Sequence, residues 1–158
     1  MTRRDQYRAL HARLDALLEH EGDWVSAMAT VVCELHHAFE SFHWTGFYRV
    51  TEPEILRIGP YQGGHGCLEI PFAHGVCGAA ARDAKLIRLD DVEAFQEHIA
   101  CAASTRSEIV VPVLDSQARV FAVLDIDSDH PGAFNHVDEE ELGLLADRLG
   151  LRYGSAVS

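Results

Sequence analysis

The chain has 158 residues, a hydrophobic share of 47% and a formal net charge of −12. This length and composition predict one soluble globular domain with its own core, and no apolar run approaches the roughly 20 residues that span a bilayer. The acidic charge comes without any cluster of Lys and Arg, which argues against nucleic acid or an anionic membrane as a partner, because phosphate groups are bound by clustered cations.

Two helices are predicted in the first part of the chain, residues 1–41. Apolar side chains recur at helical spacing over residues 3–20, and Gly22 ends that pattern. Asp23 can cap a second helix, whose apolar side carries Trp24 and Cys33. We interpret Cys33 as a buried structural thiol, because a free cysteine behaves as a small apolar residue.

The central part of the chain, residues 42–127, has the composition and the alternation of β-strands. The predicted strands are 44–50 and 55–58, which form a hairpin, and then 68–71, 86–89, 108–114 and 120–127. An alanine-rich stretch after Gly75 predicts a short helix over residues 76–82. The last helix is predicted over residues 136–153, with Asn135 as its cap.

This order of elements predicts an α+β fold. Its centre is an antiparallel sheet of about six strands, and the N- and C-terminal helices pack together on one face of that sheet. The same terminal helices are candidates for the interface of a homodimer.

Three of the four cysteines fall in or beside predicted loops, and each follows closely after a histidine. They occur in the segments His65-Gly-Cys67, His74-Gly-Val-Cys77 and His98-Ile-Ala-Cys101. The N-terminus shows no secretory signal pattern, which predicts a cytoplasmic protein, where disulfides are usually catalytic or redox-sensing.

The spacing of these cysteines leaves three interpretations open: a redox pair, a zinc site and structural thiols. Zinc is disfavoured because the chain has no Cys-x-x-Cys and its cysteine spacing matches no common zinc pattern. Cys67 follows a glycine-rich run that suits a mobile resolving thiol. Cys77 begins the predicted short helix, where the helix dipole is expected to lower the pKa of its thiol.

Three carboxylates interrupt the two most apolar strands. Asp125 and Asp127 are two residues apart and therefore point from the same face of the sheet, and Glu108 begins the neighbouring strand. One interpretation is that both strands simply emerge into solvent here. The other is a shared pocket, because buried carboxylates need a cation or a proton, and three of them suit a ligand with an ammonium group.

The first strand is rich in aromatic residues. Phe42 and Phe47 are predicted to belong to the core. Trp44 and Tyr48 alternate onto the opposite face, which makes them candidates for a binding pocket.

Several segments of the chain resemble the free methionine-(R)-sulfoxide reductases, a family of small enzymes with the GAF fold. The specific part is the cysteine segments Gly75-Val-Cys-Gly78 and His98-Ile-Ala-Cys101. The resemblance continues through Ser107-Glu-Ile-Val-Val-Pro112 and Val123-Leu-Asp-Ile-Asp-Ser128. The resemblance implies that residues 1–158 form a single GAF-like domain. Its parts would be helices over 1–41, sheet and active-site loops over 42–127, and the last helix over 136–153.

The resemblance also implies a role for each candidate residue. Cys101 matches the cysteine that attacks the sulfoxide sulfur, Cys67 the resolving cysteine, and Cys77 a third family cysteine. The carboxylates Glu108, Asp125 and Asp127 match those that bind the substrate ammonium group and protonate the sulfoxide oxygen, while Trp44 and Tyr48 would pack on the methyl end.

No cofactor and no metal is implied, and thioredoxin is the expected reductant. Ala73, Ala102 and Arg106 stand where the family usually has other residues. Two alternatives are a GAF module that binds a small ligand without catalysis, and a zinc-stabilised domain.

Overall fold

The computed structural model describes residues 1–95 and 101–156, and the predicted cysteine neighbour His98 lies outside them. The helices are α1 (Arg3–Leu18), α2 (Trp24–Ala38), α3 (Gly75–Asp83) and α4 (His136–Tyr153). The strands are β1 (Trp44–Glu52), β2 (Ile55–Gln62), β3 (Glu69–Pro71), β4 (Ile87–Leu89), β5 (Ser107–Leu114) and β6 (Val120–Ser128). Short 3₁₀ turns cover Val92–Ala94 and Gly154–Ala156.

The six strands form one sheet in the order β3-β2-β1-β6-β5-β4, and every neighbouring pair is antiparallel. This confirms the predicted α+β fold with its central antiparallel sheet. In the part of the chain that the structure describes, no helix combines the length and the apolar character that crossing a bilayer requires.

Strand β2 continues to Gln62, four residues beyond the predicted end at Ile58. The predicted strand ends before Gly59 and Pro60, because both residues are unfavourable inside a sheet. They are tolerated because β3 pairs with β2 only as far as Arg57, and the register with β1 shifts between Gly46 and Tyr48. Proline lacks an N–H donor and is therefore placed at such open edges and irregular pairings.

Alternation along the two central strands separates two apolar clusters. On β6, Ala122, Leu124 and Ile126 face the terminal helices α1, α2 and α4, where most of the core lies. Val123 faces the other side, which is covered by α3 through residues such as Ala80. The predicted packing of the terminal helices on one face is therefore confirmed, and the opposite face is left to α3 and the loops.

Phe42 and Phe47 lie in the core as predicted, on the side of the terminal helices. The prediction for Cys33 is only partly correct, because this side chain is half-buried. Its sulfur lies 3.8 Å from Nδ1 of His37, one turn further along α2 and near the protein surface.

A buried carboxylate joins the two ends of the chain. Asp138 in the first turn of α4 has no exposed surface. It accepts hydrogen bonds from the hydroxyl of Tyr7 at 2.6 Å, from Nε of Arg3 at 2.8 and 2.9 Å, and from the backbone N–H of Asn135 at 2.8 Å. All these donors bind the same carboxylate. If its charge is removed, several of them are left with a weaker hydrogen-bond acceptor than the carboxylate.

We therefore expect Asp138→Asn to lower the free energy of unfolding by about 3 kcal/mol, as is typical when one partner of a buried ion pair is removed. Urea unfolding measures this loss. Glu140→Gln is the matched control, since Glu140 on the same helix pairs with Arg4 at the surface and should change stability by less than about 1 kcal/mol. Equal losses in both variants would contradict a special role for Asp138.

Candidate active site

A cleft opens on the face of the sheet that the terminal helices leave free, between the centre of the sheet, the start of α3 and two loops. Its lining includes seven of the eight predicted site residues. These are Trp44, Tyr48, Cys77, Cys101, Glu108, Asp125 and Asp127. The eighth, Cys67, is joined to the cleft through its disulfide with Cys101.

The three carboxylates come together because β5 and β6 are neighbours. Glu108 is paired directly with Asp127, and Asp125 is paired with Val110, two residues along β5. Glu108 and Asp125 are buried, with exposed fractions of 6% and 5%. Asp127 is more exposed, but its Oδ1 is shielded from solvent. The strands therefore do not simply emerge into solvent at this point.

The electrostatic environment of these acids favours the protonated form. Burial raises the pKa of all three carboxyl groups well above the usual range. Mutual repulsion adds to this effect, since Asp127 raises the pKa of Asp125, and Glu108 raises that of Asp127. No Lys or Arg is found among the described residues that line the cleft. The cluster is therefore suited to a cation supplied by a ligand.

These raised pKa values predict that stability falls as pH rises. The folded protein holds protons that the unfolded chain releases near pH 4, so the stabilisation is complete below that pH and is lost as pH rises towards the folded pKa values. Each retained proton changes the free energy of unfolding by about 1.4 kcal/mol per pH unit. We expect Asp125→Asn to flatten this dependence above about pH 4, where the carboxyl groups of the unfolded chain ionise.

Urea unfolding of the wild type and of Asp125→Asn at several pH values measures this difference. Asp147→Asn is the matched control, because Asp147 is exposed on α4, away from the cleft, and its replacement should leave the slope unchanged. Parallel curves for the wild type and Asp125→Asn would contradict the assignment of retained protons to this cluster.

Cys67 and Cys101 form a disulfide, with their Cα atoms 5.3 Å apart and a sequence separation of 34. Cys67 lies in the loop after β2, and Cys101 lies in the segment that leads into β5. Both are partly exposed. This pairing favours the interpretation of these two thiols as a redox pair.

Cys77 lies at the start of α3, as predicted, but the prediction of a lowered pKa is wrong. The side chain is 4% exposed, and burial raises the pKa of its thiol well above the usual range. The neighbouring Asp125 and Glu108 raise it further. Desolvation and two carboxylates therefore outweigh the field of a nine-residue helix.

Trp44 and Tyr48 form one wall of the cleft. The indole of Trp44 stacks on Tyr48 with ring centroids 5.9 Å apart and on Tyr61 at 5.4 Å. Its Nε1 donates a hydrogen bond of 2.8 Å to the carbonyl of Gly64. Trp44 thus fixes the start of the loop that carries Cys67.

Several cleft residues were missed from the sequence. His65 and Gly66 approach the cleft from the loop after β2, and Thr105 from the loop before β5. A side chain at Gly66 would bring its Cβ within 3.0 Å of the Trp44 ring and 3.1 Å of the Tyr48 hydroxyl. The glycine-rich run was a signal for this close approach, whereas Thr105 stands in a segment without periodicity.

Comparison with known proteins identifies the protein family to which this fold belongs. The GAF domain family matches residues 23–151, and the chain belongs to this family. A solved structure of a free methionine-R-sulfoxide reductase from Neisseria meningitidis, in complex with its substrate, superposes with a TM-score of 0.92 and 39% identity. The match covers 99% of this chain and 93% of that one.

Curated relatives identify the branch of the GAF family. The free methionine-R-sulfoxide reductase of Escherichia coli (strain K12) is 36% identical over 149 residues, which cover 94% of this chain and 89% of that protein. The corresponding protein of Saccharomyces cerevisiae is 37% identical over 142 residues, covering 82% and 79%. The chain is a member of the free methionine-R-sulfoxide reductases, as its sequence motifs predicted, and is therefore an oxidoreductase.

Proposed function

We propose that this protein reduces free methionine-(R)-sulfoxide to methionine, with Cys101 as the attacking thiol. The observation that carries this proposal is the position of Cys101. It borders the same cleft as three buried carboxyl groups, and it is already paired with a second cysteine.

The reaction proceeds in two thiol steps. The Cys101 sulfur attacks the electrophilic sulfur of the sulfoxide, the oxygen remains on the cysteine as sulfenic acid, and methionine leaves as the thioether. The Cys67 thiol then displaces this oxygen as water and forms the Cys67–Cys101 disulfide. The disulfide in the structure is the product that this sequence of steps requires.

The carboxyl cluster performs two tasks in this proposal. Its ionised members hold the ammonium group of the substrate, and a member that keeps its proton donates it to the sulfoxide oxygen, which is otherwise a poor leaving group. The raised pKa values support this division, because burial and mutual repulsion favour the retention of a proton by the cluster.

The other walls fit the rest of a free amino acid. Trp44 and Tyr48 supply an apolar surface for the methyl end. At the start of α3, His74 provides no side-chain cap, so the first N–H groups of this helix remain available to the substrate carboxylate. Cys77 completes the floor beside the carboxyl groups and is the third cysteine of the site.

The direct test is methionine formation from free (R)- and (S)-sulfoxides with dithiothreitol as reductant. We expect turnover of the (R) form alone, and much slower turnover of N-acetylmethionine (R)-sulfoxide, whose nitrogen carries no charge. The variant Cys33→Ser should match the wild type. Absence of turnover with every substrate would favour a GAF module that binds a small ligand without catalysis.

Thioredoxin is the proposed physiological reductant. The partial exposure of Cys67 and Cys101 supports this, because a dithiol protein must reach one of the two sulfurs to exchange with them. Faster turnover with thioredoxin than with a monothiol of equal concentration is the expected result.

A homodimer through the terminal helices is a further prediction. Leu144 and Leu151 lie seven residues apart on α4, with exposed fractions of 55% and 82%. Leu17 on α1 is also 54% exposed. Such side chains suit a helical interface, and sedimentation of the wild type against Leu144→Gln tests it.

A further inference from the structure

A thiol and two carboxylates converge in the floor of the cleft. The sulfur of Cys77, a carboxylate oxygen of Glu108 and one of Asp125 all lie within 4.8 Å of one another. All three residues are buried, and all three line the open cleft. Their atoms are therefore shielded from bulk water but can be reached by a small ion.

One oxygen atom of this cluster has no hydrogen-bond partner among the described residues. The Oδ1 atom of Asp125 is buried and has no hydrogen-bond donor within the described residues, although the side chain is only 5% exposed. The same holds for Oδ1 of Asp127 beside it. Buried carboxylate oxygens are normally satisfied, so an unsatisfied oxygen on a carboxyl group that lies beside a thiol and a second carboxyl group indicates a place for a cation.

We propose that Cys77, Glu108 and Asp125 form a binding site for a divalent cation that prefers sulfur, of the class of Zn²⁺ and Cd²⁺. The Cys77 thiol releases its proton to solvent as the metal binds, because only the thiolate is a ligand. Two carboxylate oxygens complete three protein ligands, and a water or Asp127 supplies the fourth position of a tetrahedron.

The geometry requires only a small adjustment. Zinc ligands at about 2.0–2.3 Å from the metal lie roughly 3.5 Å from one another. Side chains whose ligand atoms already lie within 4.8 Å reach this arrangement by rotations that move each atom by about an ångström. A thiolate in the set favours Zn²⁺ and Cd²⁺ over Mg²⁺ and Ca²⁺, which prefer oxygen ligands alone.

The cation is an inhibitor in this proposal and not a cofactor. It occupies the carboxylates that would hold the ammonium group of an amino acid, so metal and amino acid exclude one another. This competition rests on the function proposed above, whereas the binding of the cation does not.

The experiment uses a protein in which Cys67→Ser and Cys101→Ser remove the disulfide pair, which leaves Cys77 and Cys33 as the only thiols. Titration with Cd²⁺ is followed by the ultraviolet charge-transfer band of the cadmium–thiolate bond. We expect a saturable band that is lost on adding Cys77→Ser, retained on adding Cys33→Ser, and absent with Mg²⁺. Asp125→Asn should weaken Cd²⁺ binding by at least about tenfold.

Circular dichroism of each variant establishes that it is folded, and Asp125→Asn provides a second test that keeps the thiol in place. A band that persists in the Cys77→Ser variant, or its absence from the starting protein, overturns the cation site. Addition of free methionine should lower the apparent Cd²⁺ affinity more than an equal concentration of glycine, which chelates Cd²⁺ in solution through the same amino and carboxylate groups. Unchanged affinity overturns the overlap with the amino-acid site, and this outcome is readable whether or not the wild type reduces methionine sulfoxide.

Discussion

The variant Cys101→Ser is expected to lose methionine formation by at least about a thousandfold, because a serine hydroxyl is neither nucleophilic enough nor able to carry the oxygen as a sulfenic acid. The measurement is initial rate against the free (R)-sulfoxide with dithiothreitol. Circular dichroism should match the wild type, since Cys101 is at the surface of the cleft and not in either apolar cluster.

Cys67→Ser separates attack from resolution. This variant keeps the attacking thiol, so a single turnover without reductant should still release about one methionine per chain. Multiple turnover with thioredoxin should fall strongly, because the disulfide that is the proposed substrate of thioredoxin cannot form. Loss of the single turnover in Cys67→Ser together with normal turnover in Cys101→Ser would reverse the two roles.

The elements of this fold are predictable from sequence where the pattern is strong over many residues. The helical period of the apolar residues identifies α1 and α4 as helices, and the apolar runs identify β5 and β6 as strands. Alternation along β6 places Asp125 and Asp127 on one face of the sheet. The end of β2 was not predictable, because tolerance of Pro60 depends on which neighbouring strands stop short of it. That information lies in the pairing and not in the local sequence.

The candidate site likewise has features that the local sequence predicts and features that depend on contacts distant in sequence. The carboxylates, the aromatic wall and the cysteine loops could be chosen from residue type and position. The pKa direction of Cys77 could not be, because the helix start is a local feature, whereas Asp125 and Glu108 arrive from strands more than thirty residues away in sequence. Thr105 was missed for a related reason, since the path of its loop is set by contacts distant in sequence.

The second large effect is expected when the carboxyl cluster loses charge. Asp127→Asn and Glu108→Gln should each lower kcat/KM for free methionine-(R)-sulfoxide by about a hundredfold, the loss typical of removing one partner from a buried charged pair. Asp147→Asn, which changes an exposed acid on α4, should leave kcat/KM unchanged.

The two tasks proposed for the carboxyl cluster, ammonium binding and proton donation, can be separated by comparing substrates. In a variant that loses ammonium binding, kcat/KM should fall for free methionine sulfoxide and stay nearly unchanged for the N-acetylated form, because the acetylated substrate does not make that interaction. The ratio of the two kcat/KM values therefore becomes smaller. A variant that loses the proton donor should slow any substrate it still accepts and should shift the alkaline limb of the pH profile, since that limb reports the acid. Wild-type kinetics in both Asp127→Asn and Glu108→Gln would contradict either task for these residues. The direction in which each variant departs therefore identifies which carboxyl group holds the ammonium group and which one carries the proton.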